Sequence, residues 1–136
     1  MLDHPADGKF RAFGASLEEA FGNAALAVAG QMWDWRKVRP EVGIPIEKEG
    51  RDLPQLLVGF LGEVLYLFET RRFLLGAVEG LEIEEADSGH KLRADFRGEP
   101  WTEGVEIFGD VKAVTYHDMK IEQACDHWMV QVVVDR

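Results

Sequence analysis

Two segments in the first half of the chain repeat apolar residues at spacings of three and four, which is typical of helices with one buried face. Ser16 and Glu19 form a capping box before the first segment. Asp52 is a suitable N-cap for the second, and Pro54 is tolerated in a first helical turn. We predict two amphipathic helices, whose apolar faces consist of Leu17, Ala20, Phe21, Ala24, Ala25, Val28 and Met32 and of Leu53, Leu56, Leu57, Phe60, Leu61, Val64 and Leu65.

The remaining chain alternates apolar and polar residues with a period of two, as half-buried strands do. Such segments occupy 9–13 and 42–46, and Pro45 favours a strand that is either at a sheet edge or short, because proline cannot donate a ladder hydrogen bond. Later segments predict a hairpin with its turn at 87–89, strands at 111–117 and 119–124, and a last strand from Trp128. The pattern predicts an α+β fold in which two helices pack on a mostly antiparallel sheet.

Composition limits the size, the compartment and the partners. The chain has 136 residues, 46% of them apolar, so we predict a single domain over residues 1–136. Its one cysteine, Cys125, cannot form a disulfide within the chain, which favours a reducing cytoplasm. The longest apolar stretch, 56–68, is shorter than the ~18 residues that a membrane span needs. A net charge of −10 argues against strong direct binding to nucleic acid or to anionic lipid.

The sequence carries few signs of an enzyme. It has no P-loop, GxGxxG, GxSxG, HExxH or paired CxxC motif. Cys125 lies beside an aspartate and a histidine in a predicted turn, where we interpret it as incidental. The basic and aromatic residues at 33–39 indicate tryptophans that anchor the core and cations at a helix end, with RNA contact as the alternative.

Two groups of acidic residues are candidate metal sites. Asp3, His4 and Asp7 precede the first strand, where they can surround a hard cation or simply form an acidic terminus. Asp135 is followed by the α-carboxylate of Arg136. If the first and last strands are neighbours, Asp7 completes an all-oxygen cage with that pair. The alternatives are an exposed chain end, or a guanidinium of Arg136 that neutralises the acids in place of a metal.

A lysine in a predicted strand is the third candidate. Lys112, Val114 and Tyr116 share one predicted strand face. Lys112 is therefore either a side chain that extends along apolar neighbours toward water or an anion-binding group. We interpret His117 as a polar residue at the strand end.

Four blocks of the sequence, in this order, resemble the archease family over essentially the whole chain. They are Asp3-His4-Pro5-Ala6-Asp7, Gly14-Ala15-Ser16-Leu17-Glu18-Glu19-Ala20-Phe21, Lys112-Ala113-Val114-Thr115-Tyr116-His117 and Val134-Asp135. The leucine-rich second helix and Trp128 fit the same pattern. The chain departs from the usual family pattern at Pro5, Gly8-Lys9 and Arg136.

The resemblance implies a cytoplasmic activator, not an enzyme. Its partner would be an RtcB-type GTP-dependent RNA ligase, whose guanylylation and multiple turnover it promotes in tRNA splicing and RNA repair. It also implies an inserted strand unit in the α+β fold. By position, the metal ligands would be Asp7, Asp135 and Arg136, the cation being calcium, with magnesium or manganese as alternatives. Lys112 would act in ligase activation, and tRNA would be reached only through the ligase.

Two other functions compete with this expectation. One is a small metal-dependent hydrolase that uses Asp3, His4, Asp7 and His117. The other is a general chaperone or interaction module. An enzyme acts on a substrate alone, a chaperone rescues unrelated proteins, and a ligase activator does neither.

Overall fold

The structure is a computed structural model that describes residues 7–102 and 104–136, with Asp7 described by its backbone. It confirms the predicted α+β class: two helices pack with two antiparallel sheets of three strands each. The elements in chain order are β1 (Asp7–Gly14), α1 (Leu17–Ala29), a short 3-10 turn (Trp35–Lys37), β2 (Val42–Gly50), α2 (Leu53–Arg71), β3 (Phe73–Ala86), β4 (Gly89–Pro100), β5 (Ala113–Gln123) and β6 (Trp128–Asp135).

Both helices begin at the predicted caps. The side chain of Ser16 accepts a hydrogen bond from the backbone N–H of Glu19 at 3.1 Å, and that of Asp52 accepts from the N–H of Gln55 at 2.8 Å. These bonds satisfy N–H groups that the first helical turn leaves unpaired. The first helix is shorter than its apolar pattern, because the chain leaves the helix after Ala29, although Met32 is still buried beyond its end.

The strands form two separate sheets, with orders β1-β6-β5 and β2-β4-β3. The predicted hairpin is confirmed as β3 and β4, joined at the turn before Gly89. Strand β2 lies at a sheet edge, as Pro45 predicted. In the other sheet the last strand, β6, lies in the middle and pairs with β1 on one side and β5 on the other.

The prediction of two strands at 111–117 and 119–124 is wrong. One strand, β5, covers both segments with an irregularity inside it. Its register with β6 moves from Thr115 opposite Val133 to Lys120 opposite Gln131, so five steps along β5 face only two along β6. The excess forms a bulge in which Asp118 has a φ of 52°, a left-handed conformation that aspartate tolerates better than most residues.

One apolar core joins the helices to both sheets. Phe60 of α2 is fully buried, with its ring centroid 6.2 Å from that of Phe21 in α1 and 5.4 Å from that of Phe96 in β4. Within the described residues α2 is long and apolar enough to cross a membrane by length and composition. Seven of its residues are buried in the fold, so the core accounts for its apolar stripe.

Candidate functional site

The first and last strands bring two predicted ligands to the same end of one sheet. Asp7 is the register partner of Asp135 in the β1-β6 pair, and Ala113 at the start of β5 is the partner of Asp135 on the other side. Asp135 is exposed, and Arg136 follows it directly. The condition under which these acids were predicted to form one site, that the first and last strands are neighbours, is therefore confirmed.

Lys112 lies at the same strand end. Its backbone N–H donates to the carbonyl oxygen of Asp135 at 2.7 Å, and the residue is exposed. The prediction that it lies within a strand is wrong, because β5 begins one residue later. Asp7, Lys112, Asp135 and Arg136 belong to three separate candidates in the sequence, and their backbones meet in what we call the terminal cluster.

The side chain of Arg136 packs against β1 behind the terminal cluster. A Cβ atom on Gly8 would lie 2.6 Å from Oε1 of Gln31, 2.8 Å from Cγ2 of Val134 and 3.2 Å from Cδ of Arg136. The space beside Gly8 is therefore filled by the side chains of Gln31 and Arg136. The Oε1 atom of Gln31 is buried and accepts no hydrogen bond from the described part of the chain. Gln31 lies just beyond α1, and its proximity to β1 has no signal in the sequence.

Gly8→Ala is expected to lower the free energy of unfolding by about 1–3 kcal/mol, because the new Cβ would lie 2.8 Å from Cγ2 of Val134. The side chain of Val134 is fully buried and has no space into which it can move. The strain pushes β1 away from β6, so divalent-cation binding is expected to weaken too. Urea denaturation and calorimetry measure the two effects. Gly62→Ala is the matched control: a Cβ there meets nothing within 4 Å, so the helix should gain about 0.5–1 kcal/mol. Equal stability of Gly8→Ala and the unmodified chain would show that the space beside Gly8 is not filled.

The donors of the terminal cluster fit a hard divalent cation. Among the residues whose side chains the structure describes, no three histidine, cysteine, aspartate or glutamate side chains form a ligand set. Asp3 and His4 lie outside the described residues. Asp7 and Asp135, which are opposite each other in the strand register, are both of a residue type with carboxylate oxygens, the chemistry that calcium and magnesium prefer.

The other candidates lie elsewhere in the fold. His117 is in the irregular part of β5, with Nε2 3.4 Å from a carboxylate oxygen of Asp118. Cys125 is exposed in the turn before β6. In the same turn the pKa of the Asp126 carboxyl is lowered by a 2.8 Å hydrogen bond with His127 and by the charge of that ring. This turn lies at the opposite end of β6 from the terminal cluster.

Trp33, the first of two tryptophans in the basic and aromatic segment, has a structural role. Trp33 is fully buried, and its indole N–H donates to the carbonyl oxygen of Leu75 at 3.0 Å. The guanidinium of Arg36 stacks over the ring of Trp35 at 4.9 Å. These contacts agree with the core-anchoring interpretation of the segment.

The fold and the terminal cluster define a small α+β protein whose first and last strands pair so that acidic residues meet at one sheet end. The model of the archease protein family (MTH1598/TM1083) matches residues 1–135. The chain therefore belongs to the archease family, and the predicted resemblance is confirmed.

Individual relatives agree with this assignment. The chain is 43% identical over 135 residues to the protein archease of Pyrococcus furiosus, covering 98% of this chain and 94% of that protein. It is 39% identical over 135 residues to the protein archease of Pyrobaculum neutrophilum, covering 98% and 91%. The solution structure of protein 1598 of Methanobacterium thermoautotrophicum superposes with a TM-score of 0.83 at 34% identity, covering 99% of this chain and 96% of that one.

Proposed function

We propose that this archease is a cytoplasmic protein cofactor that activates an RtcB-type GTP-dependent RNA ligase in tRNA splicing and RNA repair. It promotes guanylylation of the ligase and its multiple turnover, and is not an enzyme itself. The observation that carries this proposal is family membership over residues 1–135, in a chain whose four expected functional positions meet at one strand end.

The residues of the terminal cluster have distinct parts in the proposal. Asp7, Asp135 and the terminal carboxylate of Arg136 hold a divalent cation, calcium or else magnesium or manganese. When bound, the cation supplies a concentrated positive charge at the tip of an acidic protein. Lys112 presents a second positive charge beside it, on an exposed side chain whose backbone is tied to Asp135. Contacts that favour the guanylylation-competent state of the ligase shift its conformational equilibrium without any chemistry in this chain.

RNA is reached through the ligase in this proposal. The net charge of −10 opposes strong direct binding to a phosphate backbone. The activator therefore needs a ligase surface, and no membrane is involved.

A multiple-turnover RNA ligation assay tests the proposal. The ligase alone is expected to stall after few cycles, the two proteins together to continue, and this protein alone to join no RNA. Hydrolysis of an RNA or nucleotide substrate by this protein alone would instead support the hydrolase that uses Asp3, His4, Asp7 and His117. Equal rescue of unrelated enzymes would support a general chaperone.

Lys112→Met is expected to leave stability within about 0.5 kcal/mol, because the side chain is exposed and its backbone hydrogen bond remains. Ligase activation is expected to fall roughly tenfold, as it does when a charged contact at an interface is lost. The ligation assay and a thermal melt measure both. Lys91→Met is the matched control, since Lys91 is exposed on β4 in the other sheet. Full activation by Lys112→Met would assign Lys112 a structural role only.

A further inference from the structure

Two residues of β6 are buried on the side of the sheet that faces away from the core. Val130, Val132 and Val134 alternate into the core at 0% exposure. Gln131 and Val133 lie on the opposite face, yet they are only 3% and 5% exposed. Something other than the core must cover them.

The side chain of Gln131 is bonded to the bulge of β5, residues 116–119, which we call the β5 bulge. The Nε2 atom of Gln131 donates to the carbonyl oxygen of Asp118 at 2.8 Å, while its Oε1 accepts from Nε of Arg11 at 2.9 Å. Nζ of Lys9 lies 3.4 Å from the carboxylate of Asp118. A buried amide with both of its groups paired ties the bulge across β6 to β1.

The near end of the β5 bulge is also held. The hydroxyl of Thr115 donates to the carbonyl oxygen of Val133 at 2.9 Å, and the N–H of His117 donates back to that hydroxyl oxygen at 3.3 Å. Asp118 has a φ of 52°, and the hydrogen bond from Gln131 to its carbonyl oxygen holds the backbone in that left-handed turn. These hydrogen bonds hold the backbone of the bulge in one conformation before any partner binds.

The β5 bulge displays an aromatic ring on a strand with an exposed lysine on either side of the bulge. Tyr116 is 56% exposed, and the side chain of His117 is 73% exposed. Lys112 and Lys120 are exposed before and after it, whereas the one carboxylate inside it, Asp118, is paired with Lys9. On a protein of net charge −10, exposed lysines on both sides of an exposed tyrosine would complement an acidic partner surface.

We propose that the β5 bulge docks this protein onto the ligase, with Tyr116 as the central contact and Gln131 as the residue that positions it; the inference rests on the proposed function. The occupant is a ligase surface with an apolar notch bordered by carboxylates. Tyrosine is among the residues that most often dominate binding energy at interfaces. The backbone that carries Tyr116 is already held on both sides, so it loses little conformational freedom on binding and more of the contact energy appears as affinity.

The first test is Tyr116→Ala, measured by calorimetric titration of the ligase with the full chain. The affinity for the ligase is expected to fall at least about tenfold. Activation at saturating protein should recover, because docking has changed and the terminal cluster has not. Tyr66→Ala is the matched control, since Tyr66 is 58% exposed on α2 and should bind within twofold of the unmodified chain.

The second test is Gln131→Met, which keeps the side-chain length and removes both hydrogen bonds. Hydrogen exchange of the His117 amide is expected to accelerate, and ligase affinity to fall about as far as in Tyr116→Ala although Tyr116 is still present. Faster exchange with unchanged affinity would overturn the positioning role of Gln131.

The outcomes separate this inference from the proposed function. If the unmodified chain activates the ligase and Tyr116→Ala binds it equally well, the docking inference alone is wrong. If Gln131→Met dimerises without losing affinity, the bulge serves only to prevent pairing at the β5 edge. If Tyr116→Ala loses RNA binding but keeps ligase binding, the surface belongs to nucleic acid. If the unmodified chain does not bind the ligase, both proposals fail together.

Discussion

Phe60→Ala is expected to lower the free energy of unfolding by about 3–5 kcal/mol, the largest stability change that we predict for this chain. The ring is fully buried and lies against rings from α1 and β4. Its removal takes away apolar contact and leaves a cavity that three elements would have to move to close. Since domains of this kind have a total stability of about 5–15 kcal/mol, the variant should be close to unfolding at growth temperature. Urea denaturation measures the change.

The control for Phe60→Ala is Phe13→Ala, in which a phenylalanine that is 51% exposed on β1 is shortened in the same way. It should change stability by less than about 1 kcal/mol. The denaturant slope should stay constant in both variants, as expected when the same surface is exposed on unfolding. A loss below 1 kcal/mol for Phe60→Ala would contradict the packing of α2 against both neighbours.

Local signals predicted the helices well because each is defined by residues close together in the chain. Ser16 and Asp52 cap helices that begin one residue later, and the apolar stripe of α2 is the stripe that is buried. Pro45 predicted an edge strand for an equally local reason. The division into two sheets carried no such signal, because it depends on which strands pair, and the β1-β6 pair joins residues more than a hundred positions apart.

The β5 bulge shows where alternation fails as a guide. Residues 111–117 and 119–124 each alternate with a period of two, but the alternation shifts at Asp118. The sequence pattern therefore predicts that one strand ends there and another begins. In the structure the strand continues, since Gln131 bonds the carbonyl of Asp118 and Lys9 faces its carboxylate. A buried glutamine inside a run of valines was the available signal, and its partners lie on two other strands.

The terminal cluster could be predicted only conditionally. The carboxylate chemistry of Asp7 and Asp135 was readable from the sequence, but their proximity depended on whether the first and last strands pair. In the structure these strands pair, and Asp7 lies opposite Asp135. Lys112 lies at the same place because its backbone N–H donates to the carbonyl oxygen of Asp135, a bond that the pattern of side chains does not predict. Residue type predicted the chemistry, and topology determined which residues meet.

Asp135→Asn is expected to abolish divalent-cation binding at ordinary concentrations and to reduce ligase activation in parallel. The amide keeps the shape of the side chain but removes one negative charge from a set of three oxygen donors. Without metal, the free energy of unfolding should stay equal or rise slightly, because the repulsion between Asp135 and its acidic neighbours is relieved. Calorimetry with calcium, magnesium and manganese measures binding, and the multiple-turnover assay measures activation.

Two further variants remove the other donors in different ways. Asp7→Asn neutralises the register partner of Asp135, and residues appended after Arg136 convert its terminal carboxylate into an amide. Each should weaken cation binding and activation together. Asp95→Asn, at an exposed position of β4 in the other sheet, is the matched control and should change neither. Unchanged cation binding in all three cluster variants would rule out the terminal cluster as the metal site. Lost cation binding with full activation would separate the metal from the action on the ligase and leave Lys112 and the β5 bulge as the groups that act on it.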